Sequence, residues 1–383
     1  MADNRYIIVT PYFPSEASHT GSYVYDQAKT INNTQEYNVL IIKVVSFFSK
    51  ERDYTFKEFD VMVFKVFDLP FFVLPGIFNW LNSIRFRNFF QSNKLLGFLS
   101  VIHSHVSYPS AYLTNAVSLI SKAKTIIQHH GIDSLQVFNG RFKLITRAQK
   151  SFIKKRSILQ LNKIGLNVYV SKRVRNELHS YNTYNPKSEY VLYNGVDRTK
   201  FYNKGKQKNS DIYKIGCIAN FWPIKDQISL IKAVHLLVEK GINDIRLHLI
   251  GSGETLDSCK EYVRSNILES YVYFNDEMSH HKLNDFYNSL DLFVLPSYYE
   301  ALGCVFLEAW ATDLPIISAR NQGISELIPE NELNNLLSKE RSPESLKEKI
   351  LGEYKKKRAY KFDNKYDIKN TISEFLKLSF FDD

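Results

Sequence analysis

The stretch Glu300-Ala-Leu-Gly-Cys-Val-Phe-Leu-Glu308 places two carboxylates eight positions apart in the second half of the chain. The first follows a short apolar strand, Leu292–Leu295, and the second lies in an apolar helical segment beside Leu307 and Trp310. A helix that is apolar on all sides is typically buried, and a buried carboxylate is costly unless a partner pairs with it. We therefore expect Glu308 to bind a ligand rich in hydroxyl groups; a buried salt bridge is the alternative.

The start of the same helix is a candidate site for binding an anion. Gly303 lets a phosphate approach the backbone closely, and the amides of Cys304 and Val305, in the first turn of the helix, can bind it with the help of the helix dipole. Lys225, just beyond an earlier strand, can add an ammonium to a pyrophosphate, although a lysine at a helix start is by itself more often solvated. Ile250-Gly-Ser-Gly-Glu254 lacks the full spacing of a dinucleotide site and indicates a tight turn close to a ligand.

Strand-like apolar runs alternate with amphipathic helical stretches in both halves, which is typical of parallel sheets in α/β domains. The predicted strands are 5–10, 39–44, 61–67, 101–105, 125–128, 167–170 and 190–192, and then 215–219, 246–250, 272–274, 292–295 and 315–318. The polar segment 203–210 separates the halves, so we predict domains at 1–202 and 203–361. Ligands of such sheets bind in loops that follow the carboxyl ends of strands.

Charge is distributed unevenly along the 383 residues. Residues 1–200 contain 26 Lys and Arg against 13 Asp and Glu, whereas the remainder contains 24 against 27. The basic segment 141–156 and the aromatic segment 67–80 suggest a surface that lies on an anionic membrane, with interior packing and solvated lysines as the alternative. No nucleic-acid motif accompanies the charge, and we expect no nucleic-acid partner.

We expect a cytoplasmic protein, either dissolved or peripheral on the inner face of the membrane. Its three cysteines, Cys217, Cys259 and Cys304, are scattered without metal-ligand spacing, which favours reduced thiols. The N-terminus lacks the shape of a signal peptide, and the uncharged, aromatic-rich stretch 69–84 is shorter than the roughly 20 residues that a membrane-spanning helix needs.

The first half has its own candidate site residues. Gly21 stands at a predicted helix start, and His130 follows a strand end beside Gly131, where a histidine can touch a sugar hydroxyl or can simply be structural. We expect His103 and His105 to point to opposite faces of their strand. No carboxylate stands near them at metal-ligand spacing, so we predict no metal site.

In combination, these pieces resemble the retaining glycosyltransferases of family 4, which have the GT-B fold. The resemblance covers nearly the whole chain, and the two carboxylates of 300–308 are its most specific element. The other matching segments are 10–14 with Gly21, 102–105, 130–133, 192–197 with Phe201, 218–225, 249–253 and 296–303. The resemblance implies an α/β protein of two Rossmann-like parallel-sheet domains that face each other across a cleft, with the C-terminal helix, 362–383, packed back on the first domain.

The resemblance also implies roles for individual residues. Glu300 and His130 would be catalytic, at the donor sugar, and Glu308 would bind the nucleotide ribose. The donor-binding residues would be Lys225, Glu308, Gly303, Cys304, Val305, Gly21, Asn220 and Gly251. No cofactor or metal ion is expected, because the nucleotide-sugar is itself a substrate.

The function implied is transfer of a hexosyl or N-acetylhexosaminyl group, with retention, from a nucleotide-sugar to a glycan or lipid-linked acceptor. Synthesis of a cell-envelope polysaccharide, such as capsule or lipopolysaccharide, would be its setting. The alternatives are a non-catalytic scaffold that binds a nucleotide-sugar and a related nucleotide-sugar epimerase.

The chain departs from the family pattern at two places. Asn220 and Trp222 stand where the family often has an arginine, so Lys225 acts alone at the diphosphate or Arg320 substitutes. Asp313 stands where the family usually has glycine, in a turn whose geometry aspartate also accepts.

Overall fold

The computed structural model describes residues 4–16, 18–68, 76–131, 154–205, 211–354, 356 and 360–382. The chain forms two compact units: Met1–Tyr193 with Thr371–Asp383, and Asn194–Asn370. The first unit therefore ends nine residues before the sequence boundary at 202. The reason is local pairing: the amide of Val196 donates to the carbonyl of Tyr366 at 3.0 Å, which ties this segment to the second unit.

The first unit contains an eight-stranded sheet. Its strands are β1 (Arg5–Thr10), β2 (Asn38–Ser46), β3 (Tyr54–Phe56), β4 (Phe59–Val66), β5 (Leu99–His105), β6 (Lys124–His129), β7 (Leu166–Tyr169) and β8 (Glu189–Val191). Their order is β3-β4-β2-β1-β5-β6-β7-β8, and every pair is parallel except the hairpin of β3 and β4. Strand β1 lies centrally, and its residues Tyr6 to Val9 are completely buried, as expected for a strand covered on both faces.

Helices connect the parallel strands of this sheet. They are α1 (Ser22–Asn33), α2 (Asn79–Ser92), α3 (Ser110–Ser118), α4 (154–161) and α5 (Lys172–His179). The sequence analysis did not predict α2, whose amphipathic pattern is weak. Tertiary packing stabilises it, because the rings of Phe86 and Phe90 are fully buried against the sheet residues of the core.

The second unit contains a six-stranded sheet that is parallel throughout. Its strands are β9 (Tyr213–Ile218), β10 (Ile245–Ile250), β11 (Val272–Asn275), β12 (Leu292–Leu295), β13 (Ile316–Ala319) and β14 (Leu337–Ser338), in the order β11-β10-β9-β12-β13-β14. Its helices are α6 (Gln227–Glu239), α7 (Leu256–Ser265), α8 (His280–Ser289), α9 (Cys304–Ala311), α10 (Leu333–Leu336) and α11 (Pro343–Glu353). This order brings the loops after β10, β9, β12 and β13 to neighbouring places at one sheet edge.

The last helix, α12 (Ile368–Leu376), leads into the C-terminal part of the first unit. Phe375 is fully buried, and its ring lies 6.0 Å from the ring of His103 and 5.9 Å from that of Tyr190. The C-terminal segment from Thr371 is therefore part of the core of the first unit.

Two segments that the sequence analysis singled out are only partly described. Residues 141–153 of the basic segment 141–156 and residues 69–75 of the aromatic segment 67–80 lie outside the described residues. Within the part of the chain that the structure describes, we find no helix of the length and apolar character that crossing a membrane requires.

Candidate active site

Four loops of the second unit are joined by backbone hydrogen bonds at the carboxyl edge of its sheet. The amide of Phe221 donates to the carbonyl of Ser252 at 2.7 Å, and the amide of Tyr298 donates to the carbonyl of Ile224 at 3.0 Å. The amide of Gly323 donates to the carbonyl of Glu300 at 3.1 Å. The loops after β9, β10, β12 and β13 therefore form one continuous surface.

Lys225 and Glu300 meet on this surface, although 75 positions separate them in sequence. The ammonium of Lys225 lies 2.5 Å from Oε2 of Glu300, and the two side chains are 21% and 14% exposed. The buried side chain of Gln322 fixes the backbone of Glu300, since its Oε1 accepts a hydrogen bond of 2.7 Å from the amide of Glu300. A cation and a carboxylate thus lie together with access to solvent.

Helix α9 begins a few residues beyond Glu300. Its N-cap is Gly303, whose φ of 81° lies in the left-handed region that favours glycine. A Cβ added there would lie 2.8 Å from the ring of Phe306 and 3.0 Å from Cγ of Glu300. The amides of Cys304 and Val305 belong to the first turn of this helix, where backbone N–H groups attract anions.

Glu308 lies inside α9 with two neighbours from α8. Its Oε2 accepts a hydrogen bond of 2.9 Å from the hydroxyl of the fully buried Tyr287, and its Oε1 lies 3.8 Å from Nε2 of His280. Burial and the nearby carboxylate raise the pKa of Tyr287 well above its usual value, so its hydroxyl stays protonated and donates. The side chain of Glu308 remains 13% exposed, so its carboxylate does not belong to a fully buried salt bridge.

Other predicted donor-binding residues lie in the same loops. Asn220 is exposed, and its carbonyl accepts a hydrogen bond of 3.0 Å from Nε2 of Gln227. Gly251 has a φ of 138°, and a Cβ there would lie 2.2 Å from the carbonyl oxygen of Ala219, which explains the glycine after β10. Arg320, the possible substitute for the family's arginine, is exposed at the end of β13.

Three residues that support this surface were missed by the sequence analysis: Tyr287, Gln322 and Asn194. The amide of the Asn194 side chain lies 3.4 Å from the sulfur of Cys304, and Gln322 bridges Glu300 to Glu340, whose Oε1 is 2.9 Å from its Nε2. Tyr287 and Gln322 belong to no recognisable motif, whereas Asn194 lies in the matching segment 192–197, to which the sequence analysis gave no role. Only the fold brings them to the loops that they support.

The remaining two predicted site residues, Gly21 and His130, belong to the first unit. Gly21 immediately precedes α1 and lies against the carbonyl of Tyr12. His130 follows β6, and its ring lies 4.5 Å from the ring of Tyr23, in the first turn of α1. The start of α1 and the end of β6 are therefore neighbours.

His103 and His105 point to the same face of β5, so the expectation of opposite faces was wrong. Side chains of a strand repeat every two residues, and these positions are two apart. Their rings stack with centroids 4.6 Å apart and planes inclined by 18°. The rings of His105 and His130 are nearly coplanar and meet edge to edge, with centroids 5.1 Å apart and planes inclined by 10°.

Burial lowers the pKa values of these histidines. Desolvation is the largest cause in each case: it brings the pKa of the fully buried His103 to about 3, from the usual 6.5, and it also lowers the pKa of the partly exposed His130. The pKa of His105 is also well below its usual value, for the same reason and because of the neighbouring histidines. All three rings are therefore neutral at pH 7.

Among the described residues, no group of three or more His, Cys, Asp or Glu is arranged to hold a metal ion. Metal independence of the reaction stays a prediction.

Two family models match consecutive parts of the chain. The model described as Glycosyltransferase Family 4 matches residues 21–200, and the one described as Glycosyl transferases group 1 matches residues 199–366. The chain belongs to glycosyltransferase family 4. The loops around Glu300 lie in the part matched by the second model, and His130 and Gly21 lie in the part matched by the first.

Similar curated proteins are glycosyltransferases. An uncharacterized glycosyltransferase of Methanocaldococcus jannaschii is 30% identical over 259 residues, which cover 66% of this chain and 65% of the relative. The putative teichuronic acid biosynthesis glycosyltransferase TuaC of Bacillus subtilis is 24% identical over 71% of this chain and 65% of its own length. The chain spans about two thirds of the length of these relatives, 64–65% for the first three.

Solved structures share the fold. Sucrose-phosphate synthase from Thermosynechococcus elongatus superimposes with a TM-score of 0.71 at 14% identity, covering 98% of this chain and 95% of that one. HepE of Anabaena, solved in complex with UDP and glucose, gives a TM-score of 0.69 at 16% identity, covering 97% and 99%. These neighbours confirm the predicted GT-B class of two parallel-sheet α/β domains.

Proposed function

We propose that this protein transfers a sugar from a nucleotide-sugar donor to an acceptor hydroxyl, with retention of anomeric configuration. One observation carries the proposal: Lys225 and Glu300 form an ion pair beside the first turn of α9, the helix that also contains Glu308. A cation and the amides of a first helical turn suit a diphosphate, and a carboxylate with one oxygen oriented by Tyr287 suits ribose hydroxyls.

In this proposal the residues act on the charge that develops as the sugar leaves its diphosphate. Lys225 and the amides of Cys304 and Val305 stabilise the leaving group, while Glu300 stabilises the oxocarbenium-like sugar. Preorganised groups of this kind act most strongly on charge that appears only in the transition state. Asn220, Gly251 and Gly21 would line the donor, and His130 would contact the donor sugar.

The donor can be identified by its binding to the purified chain. A thermal-shift screen of UDP-, GDP- and ADP-sugars tests which nucleotide raises the melting temperature, and the loop 275–278 is where we expect the base. The donor so found is then incubated without acceptor, and NMR of the first-formed sugar reports its anomeric configuration. Slow hydrolysis with retention supports the proposal, whereas inversion contradicts it.

The same assay decides between the enzyme and its alternatives. A chain that binds a nucleotide-sugar but neither hydrolyses nor transfers it would be a non-catalytic scaffold, and one that changes the configuration of the bound sugar without releasing nucleotide would be an epimerase. Activity that persists after treatment with EDTA supports the expected independence of metal ions.

The acceptor that we propose is a glycan or lipid-linked saccharide of the cell envelope. Similar proteins named for teichuronic acid biosynthesis in Bacillus subtilis and for capsular polysaccharide biosynthesis in Staphylococcus aureus support this setting. The proposed hexosyl or N-acetylhexosaminyl group is tested by the same screen, with UDP-glucose and UDP-N-acetylglucosamine compared at equal concentration.

We also propose that the first unit binds an anionic membrane surface on the cytoplasmic side. Phe47, Phe48 and Trp80 are 45%, 65% and 65% exposed, which is unusual for large aromatic side chains in water. Ring contacts join Phe47 to Phe48 and, through Phe67 and Phe78, to the start of α2. The guanidinium of Arg85 lies 5.8 Å from the centre of the Phe47 ring, so positive charge adjoins the aromatic groups.

Sedimentation with vesicles of phosphatidylglycerol and phosphatidylcholine tests this surface. We expect binding at low salt that is weakened in the double variant Phe48→Ser, Trp80→Ser. The matched control is Phe98→Ser, Leu119→Ser, which removes two exposed apolar side chains elsewhere on the same unit. Absence of binding at low salt, or equal loss in both variants, would contradict a specific membrane surface.

A further inference from the structure

The rings of His103, His105 and His130 form a continuous row at the carboxyl edge of the first unit's sheet, which we call the histidine column; His103 stacks on His105, and His105 meets His130 edge to edge. His103 and His105 come from β5, and His130 follows the adjacent strand β6. His103 and His105 are completely buried, whereas His130, at the end of the column, is partly exposed. Only His130 is therefore placed to meet a ligand.

One hydrogen bond links the last two members of the column. Nδ1 of His105 lies 2.7 Å from Nε2 of His130. Both rings are neutral at pH 7, so each has one N–H and one bare nitrogen. Two arrangements are possible: the shared proton belongs either to Nδ1 of His105 or to Nε2 of His130.

The environment of the other nitrogen of His105 decides between these arrangements. Its Nε2 is buried and has no hydrogen-bond partner among the described residues. If the shared proton belonged to His130, this nitrogen would be a buried N–H without an acceptor, a group that native structures rarely contain. If the shared proton belongs to His105, the orphaned atom is only a bare acceptor, which is tolerated better.

We propose that His105 is a positioning residue that holds His130 as its Nδ1–H tautomer. Nε2 of His130 then accepts from His105, and its only proton lies on Nδ1. His130 therefore donates a neutral hydrogen bond to an oxygen of its ligand and does not act as a base. The ring of Tyr23, 4.5 Å from that of His130, packs beside it and limits the ring's orientation further.

The chemistry of the ligand follows from this assignment. A neutral N–H donor suits a hydroxyl or carbonyl oxygen and gains no charge when it binds. Because Nε2 of His130 already accepts from His105 and Nδ1 carries the proton, the ring offers the ligand a donor alone, so the partner must be a hydrogen-bond acceptor. That this oxygen belongs to the donor sugar rests on the proposed function; the tautomer of His130 does not.

Nitrogen NMR of the full-length chain, labelled with ring-15N histidine, tests the tautomer without any ligand. The variant His130→Gln assigns the signals, because one of the ten histidines disappears. At pH 7 we expect the coupling pattern of a neutral ring with its proton on Nδ1. A proton on Nε2, a doubly protonated ring, or rapid exchange between tautomers in the unaltered chain would overturn the proposal.

Two substitutions at position 105 separate positioning from packing. His105→Phe keeps a stacked ring but removes the donor, whereas His105→Asn keeps a side-chain N–H close to the place of Nδ1. We expect His105→Phe to lose the fixed tautomer of His130 and to lower kcat about tenfold, the effect of about one hydrogen bond, with little change in KM for the donor. His105→Asn should retain both; equal losses in the two variants would indicate packing alone and contradict the proposal.

An error in the proposed function would give a different experimental result from an error in the tautomer assignment. If the tautomer of His130 is fixed in the unaltered chain and lost in His105→Phe while transfer is unchanged, the positioning by His105 stands. The placement of His130 at the donor sugar would then be wrong.

Discussion

The ammonium of Lys225 lies 2.5 Å from Oε2 of Glu300, so the cation expected at the diphosphate is paired with the carboxylate expected at the sugar. The two side chains are 21% and 14% exposed, so a diphosphate arriving from solvent can reach the ammonium and compete with the carboxylate for it. The pair is better suited to ligand binding than to holding the fold together.

This relationship predicts that Lys225→Ala and Glu300→Ala each reduce sugar transfer by about a hundredfold or more. The reason is the loss of a charge that acts in the transition state, so the temperature of unfolding should change little. Initial rates with the identified donor and a thermal melt of each variant measure the two effects.

The matched control for the lysine is Lys240→Ala, which removes an exposed ammonium beyond the end of α6 in the same unit. Its transfer rate should equal that of the unaltered chain. Normal turnover in Lys225→Ala, or the same loss in the control, would remove Lys225 from the donor site.

The pairing of Tyr287 with Glu308 leads to a second prediction. Removing the hydroxyl in Tyr287→Phe leaves Oε2 of Glu308 without its donor, so the carboxylate loses its fixed orientation. We expect nucleotide affinity to fall about tenfold, as measured by calorimetric titration with the nucleoside diphosphate. Tyr273→Phe, whose hydroxyl donates to a backbone carbonyl near the surface, is the control and should bind normally. An unchanged affinity in Tyr287→Phe would contradict the role given to this hydroxyl.

Strand bounds and helix starts were predicted well because they depend on residues that lie close together in the sequence. The apolar runs gave strands β1 and β12 with their observed bounds, and Gly303 before Cys304 predicted a helix start that the structure confirms. The donor-binding loops could be proposed because the carboxyl ends of parallel strands share one edge. Whether each of these residues binds the donor stays a prediction.

Contacts between distant segments could not be predicted in this way. Tyr287 reaches Glu308 because α8 packs beside α9, and Gln322 reaches Glu300 because β13 follows β12 in the sheet; neither residue belongs to a motif. Helix α2 was missed because its aromatic residues are spread around the helix, and only burial against the sheet shows which of them face the core. The error at His103 and His105 was different, since the two-residue period of a strand already places them on one face.

The backbone at Gly303 leads to a third prediction. In Gly303→Ala the left-handed conformation costs roughly 1–2 kcal/mol, and the new methyl group crowds Phe306 and Glu300. We therefore expect lower stability together with weaker diphosphate binding, measured by urea unfolding and by titration. Gly352→Ala is the control: it lies in α11 with no atom within 4 Å of the added Cβ, and it should raise stability by about 0.5 kcal/mol. Unchanged stability and binding in Gly303→Ala would contradict this account.

The buried histidines predict that stability declines in mild acid. Desolvation lowers the pKa of His103 to about 3 and that of His129 to about 4, whereas the unfolded chain titrates near 6.5. Between these values the unfolded state binds protons that the folded state does not. The free energy of unfolding is therefore highest above pH 6.5 and falls toward pH 4, by up to about 1.4 kcal/mol per pH unit for each histidine. Urea unfolding at pH 7.5, 6.0 and 5.0 measures this slope. The variant His129→Gln should have a smaller slope, because one buried histidine no longer contributes; an equal slope in the variant and in the unaltered chain would contradict the prediction.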